Sequence, residues 1–254
     1  TAQLDHAAAA EELTRAVQID EQLADAYRDL GVALQRTARL DAAIAAYSRA
    51  VKLRPRDSAT RERLAYALLV ERHLPEAVAQ YKQVLAEQPN RPEAHNNIAV
   101  ALVKLNRIDE AIVHFAAAVK LEPNAARHYN LATQFVRRGS DRDAIVHFRQ
   151  ALTLRPAWPA ALAELAWVLA TSDDAKLRNA GEAVRLAQQA CQLTNSTQAD
   201  ALDALAAAQA EAGQFPQAVT TAEKARALAK AAAQTQMADR IAKRIDLYKA
   251  NTPC

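Results

Sequence analysis

Histidine is the side chain best suited to ionic chemistry near neutrality, and four of the six histidines in this sequence fall in two related places. His114 and His147 each precede a phenylalanine, Phe115 and Phe148, and are 33 residues apart; so are His95 and His128. A metal would need such rings to converge at about 2.0 Å each. If 33 residues is one structural unit, His114 and His147 lie on neighbouring copies of one helix, roughly 8–10 Å apart, too far to share an ion. His95 and His128 fall where the copies carry an aromatic, which predicts packing. The two cysteines, Cys191 and Cys254, have neither the number for a disulfide framework nor the spacing of metal ligands. No Ser/His/Asp or Cys/His constellation follows from spacing, and Gly31, Gly139, Gly181 and Gly213 are too scattered to cradle a phosphate. The expectation is a chain without catalytic residues, metal or cofactor. Two short motifs have plain readings. "RRGS" at 137–140 makes a good inter-helix turn, and "NST" at 195–197 fits a glycosylation pattern without a secretory segment beside it.

The balance of charge narrows the partners. Net charge is +3 with 24% charged residues, and the two signs interleave; even the densest basic stretch, "LRPRDSATRER" at 53–63, contains Asp57 and Glu62. Phosphate neutralisation needs convergent cations, so nucleic acid is not an expected partner. No apolar run reaches the eighteen residues of a membrane span, and the opening "TAQLDHAAAAEEL" has neither a basic leader nor a starting Met. The expectation is a soluble piece of a longer chain, with no direct membrane contact. Hydrophobic content of 51% with only 5% aromatics means a core of Ala, Leu and Val, which closes only if helices approach tightly.

What must position any functional residue is a repeat. "LDAAIAAYSRAVKLRP" at 40–55 returns as "LPEAVAQYKQVLAEQP" at 74–89, "IDEAIVHFAAAVKLEP" at 108–123 and "DRDAIVHFRQALTLRP" at 141–156. Starts at 40, 74, 108 and 141 are 34, 34 and 33 residues apart. Within one unit, Tyr27, Leu30, Gly31 and Leu34, and then Ala43, Ile44, Tyr47, Ala50, Val51 and Leu53, follow the three-and-four spacing of amphipathic helices. The short link "TARL" makes the two helices antiparallel, and Pro55 stops the second. With its aromatic, Leu-Gly, Tyr, Ala, Phe, Ala and Pro positions, best seen at 26–55, the sequence resembles the tetratricopeptide repeat. The resemblance implies an all-α fold: one right-handed α-solenoid over 1–254, with a partial repeat (second helix only) at 5–23, repeats at 24–57, 58–91, 92–124, 125–158, 159–198 and 199–229, and a capping helix at 230–250. In that helix Met237, Ile241, Ile245 and Tyr248 form an apolar stripe, with Asp239, Arg240, Lys243 and Arg244 expected to face away. The link at 171–181 is about five residues longer than the register allows.

The same resemblance implies a function. First helices of such hairpins line a concave groove that binds extended peptides or helices. Carried over by register, the groove would present Arg28, Val32, Tyr66, Asn96, Asn97, Val100, Tyr129, Asn130, Thr133 and Trp167. Asn97 and Asn130 resemble two rungs of the asparagine ladder of protein O-GlcNAc transferases, where an amide serves a peptide group as both donor and acceptor. The other four rungs are Asp29, Arg63, Glu164 and Ala204, so no continuous ladder exists. The carboxylate clamp of chaperone-binding repeats is broken, because Val32 and Arg63 stand where it needs asparagines. The implied partner is a protein or peptide held by Tyr66, Asn96, Asn97, Tyr129 and Trp167; the alternative for Tyr66 and Trp167 is filling of the inter-helix seam. The C-terminal third resembles the tails of bacterial membrane proteins joining a glycosyltransferase-like region to these repeats. That implies a second reading, a substrate-recognition arm for a catalytic region elsewhere in the parent chain, in the bacterial cytoplasm or periplasm. A third reading is self-assembly into a homo-oligomer through the helix at 5–19.

Overall fold

The computed structural model describes residues 2–254, with side chains from residue 5 onward. The architecture is an all-α solenoid: fourteen helices and, among the described residues, no strand. Contacts divide the chain into two compact units, Thr1–Glu122 and Pro123–Cys254. In the first unit α1 (Ala2–Ile19) packs on α2 (Ala24–Arg36). That helix opens three hairpins: α2 with α3 (Leu40–Leu53), α4 (Ser58–Val70) with α5 (Leu74–Glu87), and α6 (Pro92–Lys104) with α7 (Ile108–Leu121). The second unit pairs α8 (Ala125–Arg138) with α9 (Asp141–Leu154), α10 (Pro159–Thr171) with α11 (Ala180–Leu193), and α12 (Ala199–Glu211) with α13 (Phe215–Ala231). It closes with α14 (Thr235–Lys249) against α13.

Local chemistry sets the helix boundaries. Pro75, Pro92, Pro159 and Pro216 occupy first turns, where the missing amide would have had no helical partner. Asp57, Asn124 and Asn179 cap α4, α8 and α11 by accepting from the amides of Thr60, Arg127 and Glu182 at 3.0, 2.9 and 3.0 Å. The tight turns inside hairpins pass through a left-handed residue: Ala38, Arg72, Asn106, Gly139 and Gly213, with φ of 58°, 65°, 59°, 75° and 72°. The link between α10 and α11 is longer, Ser172–Asn179, and is closed by bonds of its own. The Asn179 amide donates to Leu169 O at 2.9 Å, and Arg178 donates to Ser172 O at 3.0 Å while pairing with Glu211 at 2.9 Å.

The second helices of the first four hairpins each insert one aromatic into the core. Tyr47, Tyr81, Phe115 and Phe148 are all buried to 2% exposure or less, each stabilising its hairpin by roughly 1.5–3 kcal/mol of apolar burial. The facing first helices are lined with small residues, Gly31, Ala65, Ala99, Ala132, Ala166 and Ala206, all buried. On α14 the apolar stripe is in place, with Ala238, Ile241, Ile245 and Tyr248 buried and Met237 half-buried. Arg244 departs from expectation. Instead of facing away it turns inward and forms a two-pronged ion pair with the buried Asp203. A carboxylate buried on α12 has no water to solvate it, and that need overrides the amphipathic pattern. None of the described helices is long and apolar enough to cross a membrane.

Candidate partner-binding faces

In the first unit, successive first helices meet at a cleft of about 430 Å³. Gln35 of α2, Glu62, Arg63 and Tyr66 of α4, and Asn97 of α6 line it, with Tyr81 at its floor. Tyr66 is 46% exposed. Asn97 donates through Nδ2 to the Tyr81 hydroxyl at 2.9 Å, and Tyr47 makes the matching bond to Gln35 Oε1 at 2.9 Å. Burial raises the Tyr81 phenol well above its ordinary pKa, so it stays protonated. Asn97 therefore has a structural duty, satisfying a buried hydroxyl. Its neighbour Asn96 is half-buried and makes only a long 3.4 Å contact to Asn97 Oδ1. Glu62 is paired with Arg91.

Like Asn96, three other predicted residues of this unit are not part of the cleft lining. Arg28 is occupied by Asp29 and Asp25, each at 2.9 Å, and the bond to Asp29 raises its pKa further. Val32 and Val100 are half-buried side chains of α2 and α6.

In the second unit Tyr129 is half-buried, with its ring 4.7 Å from Trp158 and 5.8 Å from Phe148, and Arg155 lies 4.9 Å above Trp158. Burial, reinforced by the nearby Glu164 and Asp200, pushes the Tyr129 phenol up to about 12. The Asn130 side chain forms no hydrogen bond among the described residues, while its carbonyl accepts from Thr133 Oγ1 at 2.8 Å and Gln134 Nε2 at 3.3 Å. Thr133 thus spends its proton within α8. Further along, α10, α12 and α14 enclose a cleft of about 220 Å³ whose wall is Trp167. Arg244 lies 4.9 Å over the Trp167 ring, and Glu164 and Asp200 complete the lining. Burial, with repulsion from Asp200, raises the Glu164 carboxyl.

Sequence reasoning counted Glu164 among the ladder positions and missed Asp200, Trp158 and Arg244. Trp158 precedes the first turn of α10 and Arg244 sits in the cap, both outside the register positions counted.

The histidines also pair within hairpins, a contact the sequence spacing did not bring out. Nδ1 of His95 lies 3.0 Å from Nδ1 of His114, and Nδ1 of His128 lies 3.0 Å from Nδ1 of His147, with ring centroids 5.2 Å apart in both pairs. Each pair bridges the two helices of one hairpin. One ring must donate and the other accept, so at most one can be charged. Burial lowers the pKa of His114, His128 and His147, helped at His114 and His147 by the partner ring. The signal was present in the sequence as two parallel 33-residue intervals, but not the 19-residue reach across the hairpin. Among the described residues no group of three or more His, Cys, Asp or Glu is arranged to hold a metal ion.

Family models described as tetratricopeptide repeat match residues 24–57 and 68–135. The chain is a tetratricopeptide-repeat protein. No curated relative matches it by sequence. Solved structures share its fold at low identity. YrrB, a TPR protein with an unusual peptide-binding site, is 19% identical with a TM-score of 0.65, covering 79% of this chain and 99% of its own. PilF of Pseudomonas aeruginosa is 19% identical with a TM-score of 0.65, covering 88% and 98%. A MamA structure is 20% identical with a TM-score of 0.62, covering 68% and 93%. As a tetratricopeptide-repeat protein the chain is a protein-interaction scaffold.

Proposed function

We propose that this scaffold is non-catalytic and holds a peptide segment or a partner helix along the first-helix faces of its hairpins. Tyr66 carries the reading: an aromatic side chain 46% exposed on α4, within a cleft ringed by amide and charged groups. Covering such a ring is the usual source of interface energy. The unbonded amide of Asn130 and the loosely held Asn96 can each serve a peptide group as donor and acceptor. YrrB, with its peptide-binding site, shares the fold. The self-assembly reading has less support, because the exposed residues of α1 are mostly polar, with Asp5, Glu11, Glu12, Arg15 and Gln18 beside Ala7, Ala8 and Ile19.

Panning a random peptide library on the intact chain and on Tyr66→Ala tests the proposal. Circular dichroism is expected to show that the variant keeps its fold, since Tyr66 lies outside the fully buried core. Enriched peptides are expected to bind it at least about 30-fold more weakly, the size of a hot-spot truncation. Equal binding to both chains would remove Tyr66, and with it the first-helix cleft, from the site.

A further inference from the structure

We infer that the first-helix cleft of the first unit reads an acidic side chain of the bound segment, with Arg63 as its partner and Tyr66 covering a large apolar residue beside it. This rests on the reading that this face binds peptide, and it names what that peptide must present.

Arg63 and Tyr66 are one turn apart on α4 and both are exposed, so their side chains share one stripe of the helix. Both line the cleft of about 430 Å³. The other charged groups of the lining are engaged: Glu62 is paired with Arg91, and Glu93 has a partner as well. Arg63 is the cation of the lining that makes no ion pair among the described residues. It stands beside the Tyr47 hydroxyl, where Arg36, from the last turn of α2 and likewise without an ion pair, adds a second positive charge. Burial raises the Tyr47 phenol, and the two guanidiniums oppose that rise. The carboxylate acting on the same hydroxyl, Asp29, is committed to Arg28. Positive charge from two successive first helices is therefore left without a local counter-ion.

Hydrogen-bonding capacity points the same way. Gln35 Oε1 accepts from the Tyr47 hydroxyl, which leaves the Nε2 protons of that amide to spare. The Tyr81 hydroxyl accepts from Asn97 and keeps its own proton. Arg63 brings further donors and no acceptor. On the acceptor side, Asn97 Oδ1 takes only a long 3.4 Å contact from Asn96. A guanidinium among spare donors is complemented by an anion with two oxygens, and the planar fork fits a carboxylate. The exposed ring of Tyr66 lies roughly 5 Å further along the helix axis. An extended segment covers that distance in about one or two residues, so the acidic residue and the apolar one are close neighbours in the partner.

The test pans a random ten-residue display library on the intact chain, on Arg63→Gln and on Arg63→Glu. Synthetic copies of the enriched peptides, amidated at the C-terminus so that only side-chain carboxylates are compared, are measured with Asp or Glu replaced by Asn or Gln. The intact chain is expected to enrich an acidic residue within two positions of a large apolar one, and the amide replacement to weaken binding about tenfold, the size of a hydrogen bond to a charged group. Arg63→Gln should bind both versions alike, and Arg63→Glu should shift the enrichment to Lys and Arg. Peptides without an acidic preference, or a preference that persists on Arg63→Gln, would overturn the carboxylate assignment and leave peptide binding standing. An acidic preference with no apolar neighbour would overturn the pairing with Tyr66. No enrichment on the intact chain would overturn both this inference and the peptide-binding reading.

Discussion

Gly31→Ala sets two effects of opposite sign against each other. Gly31 lies within α2, and alanine is favoured there by about 0.8–1 kcal/mol of helix propensity. A Cβ on Gly31 would, however, lie 2.5, 2.6 and 2.9 Å from three atoms of the Tyr47 ring. That ring is fully buried and its hydroxyl is bonded to Gln35, so it cannot swing aside without moving α3. Overpacking of this kind costs about 1–3 kcal/mol, and the expected net loss is about 0–2 kcal/mol. The five equivalent positions, Ala65, Ala99, Ala132, Ala166 and Ala206, already hold alanine at zero exposure, so the penalty comes from the close approach of this hairpin alone. Urea melts give the loss, and hydrogen exchange should place it in α2 and α3, since a solenoid distributes stability between neighbours. Tyr47→Leu combined with Gly31→Ala should recover part of the deficit relative to Tyr47→Leu alone. A Gly31→Ala chain more stable than the parent would show that α2 and α3 open at no cost to the spacing of the other hairpins, and the reasoning would fail.

Asn97→Ala should cost about 1–3 kcal/mol without any ligand present, because the buried Tyr81 hydroxyl loses its partner; urea melts that match the parent would show that water replaces the amide. Arg244→Ala should cost about 3 kcal/mol by leaving Asp203 buried and unpaired, with early exchange of α14 amides, and Asp203→Ala on the same chain should recover much of it. The histidine pairs predict an acid-sensitive fold. Their lowered folded pKa values mean that the unfolded chain binds more protons below the ordinary histidine value of 6.5. Stability is then full above that pH and declines as pH falls through and below it, by at most about 1.4 kcal/mol per pH unit for each ring kept neutral. His114→Gln with His147→Gln should flatten urea midpoints measured from pH 7.5 to 5, and an unchanged slope would refute the assignment.

The fold was legible because the repeat is written in small and large residues at fixed intervals, and such patterns survive averaging over a helix. Positions such as Ala43, Tyr47 and Ala50 mark the core without reference to any other hairpin. The candidate site was legible only in part. Register placed Tyr66 and Trp167 on first helices, but could not say that Arg28 would be consumed by its own acidic neighbours, or that Asn97 would be consumed by Tyr81. Those outcomes depend on side-chain reach, which periodicity does not encode. Arg244 was misread for the same reason: its position on α14 is polar by pattern, and only the buried carboxylate on another helix draws it in. The histidine contacts were missed for a different reason, since equal 33-residue intervals mark equivalent positions in successive copies and carry no sign of a contact across each hairpin.

The seating of Arg244 over Trp167 also bears on competition. A side chain tethered to its own site acts at an effective concentration of millimolar or more. An incoming group that needs the face of Trp167 already covered by Arg244 must outcompete that tethered occupant, so weak ligands are excluded from it at cellular concentrations. Removing the terminal helix would uncover that face and leave Asp203 bare, turning a narrow recognition surface into a broad, sticky one. Under the proposed peptide-binding reading, α14 would act as a selectivity filter as well as a lid on the core.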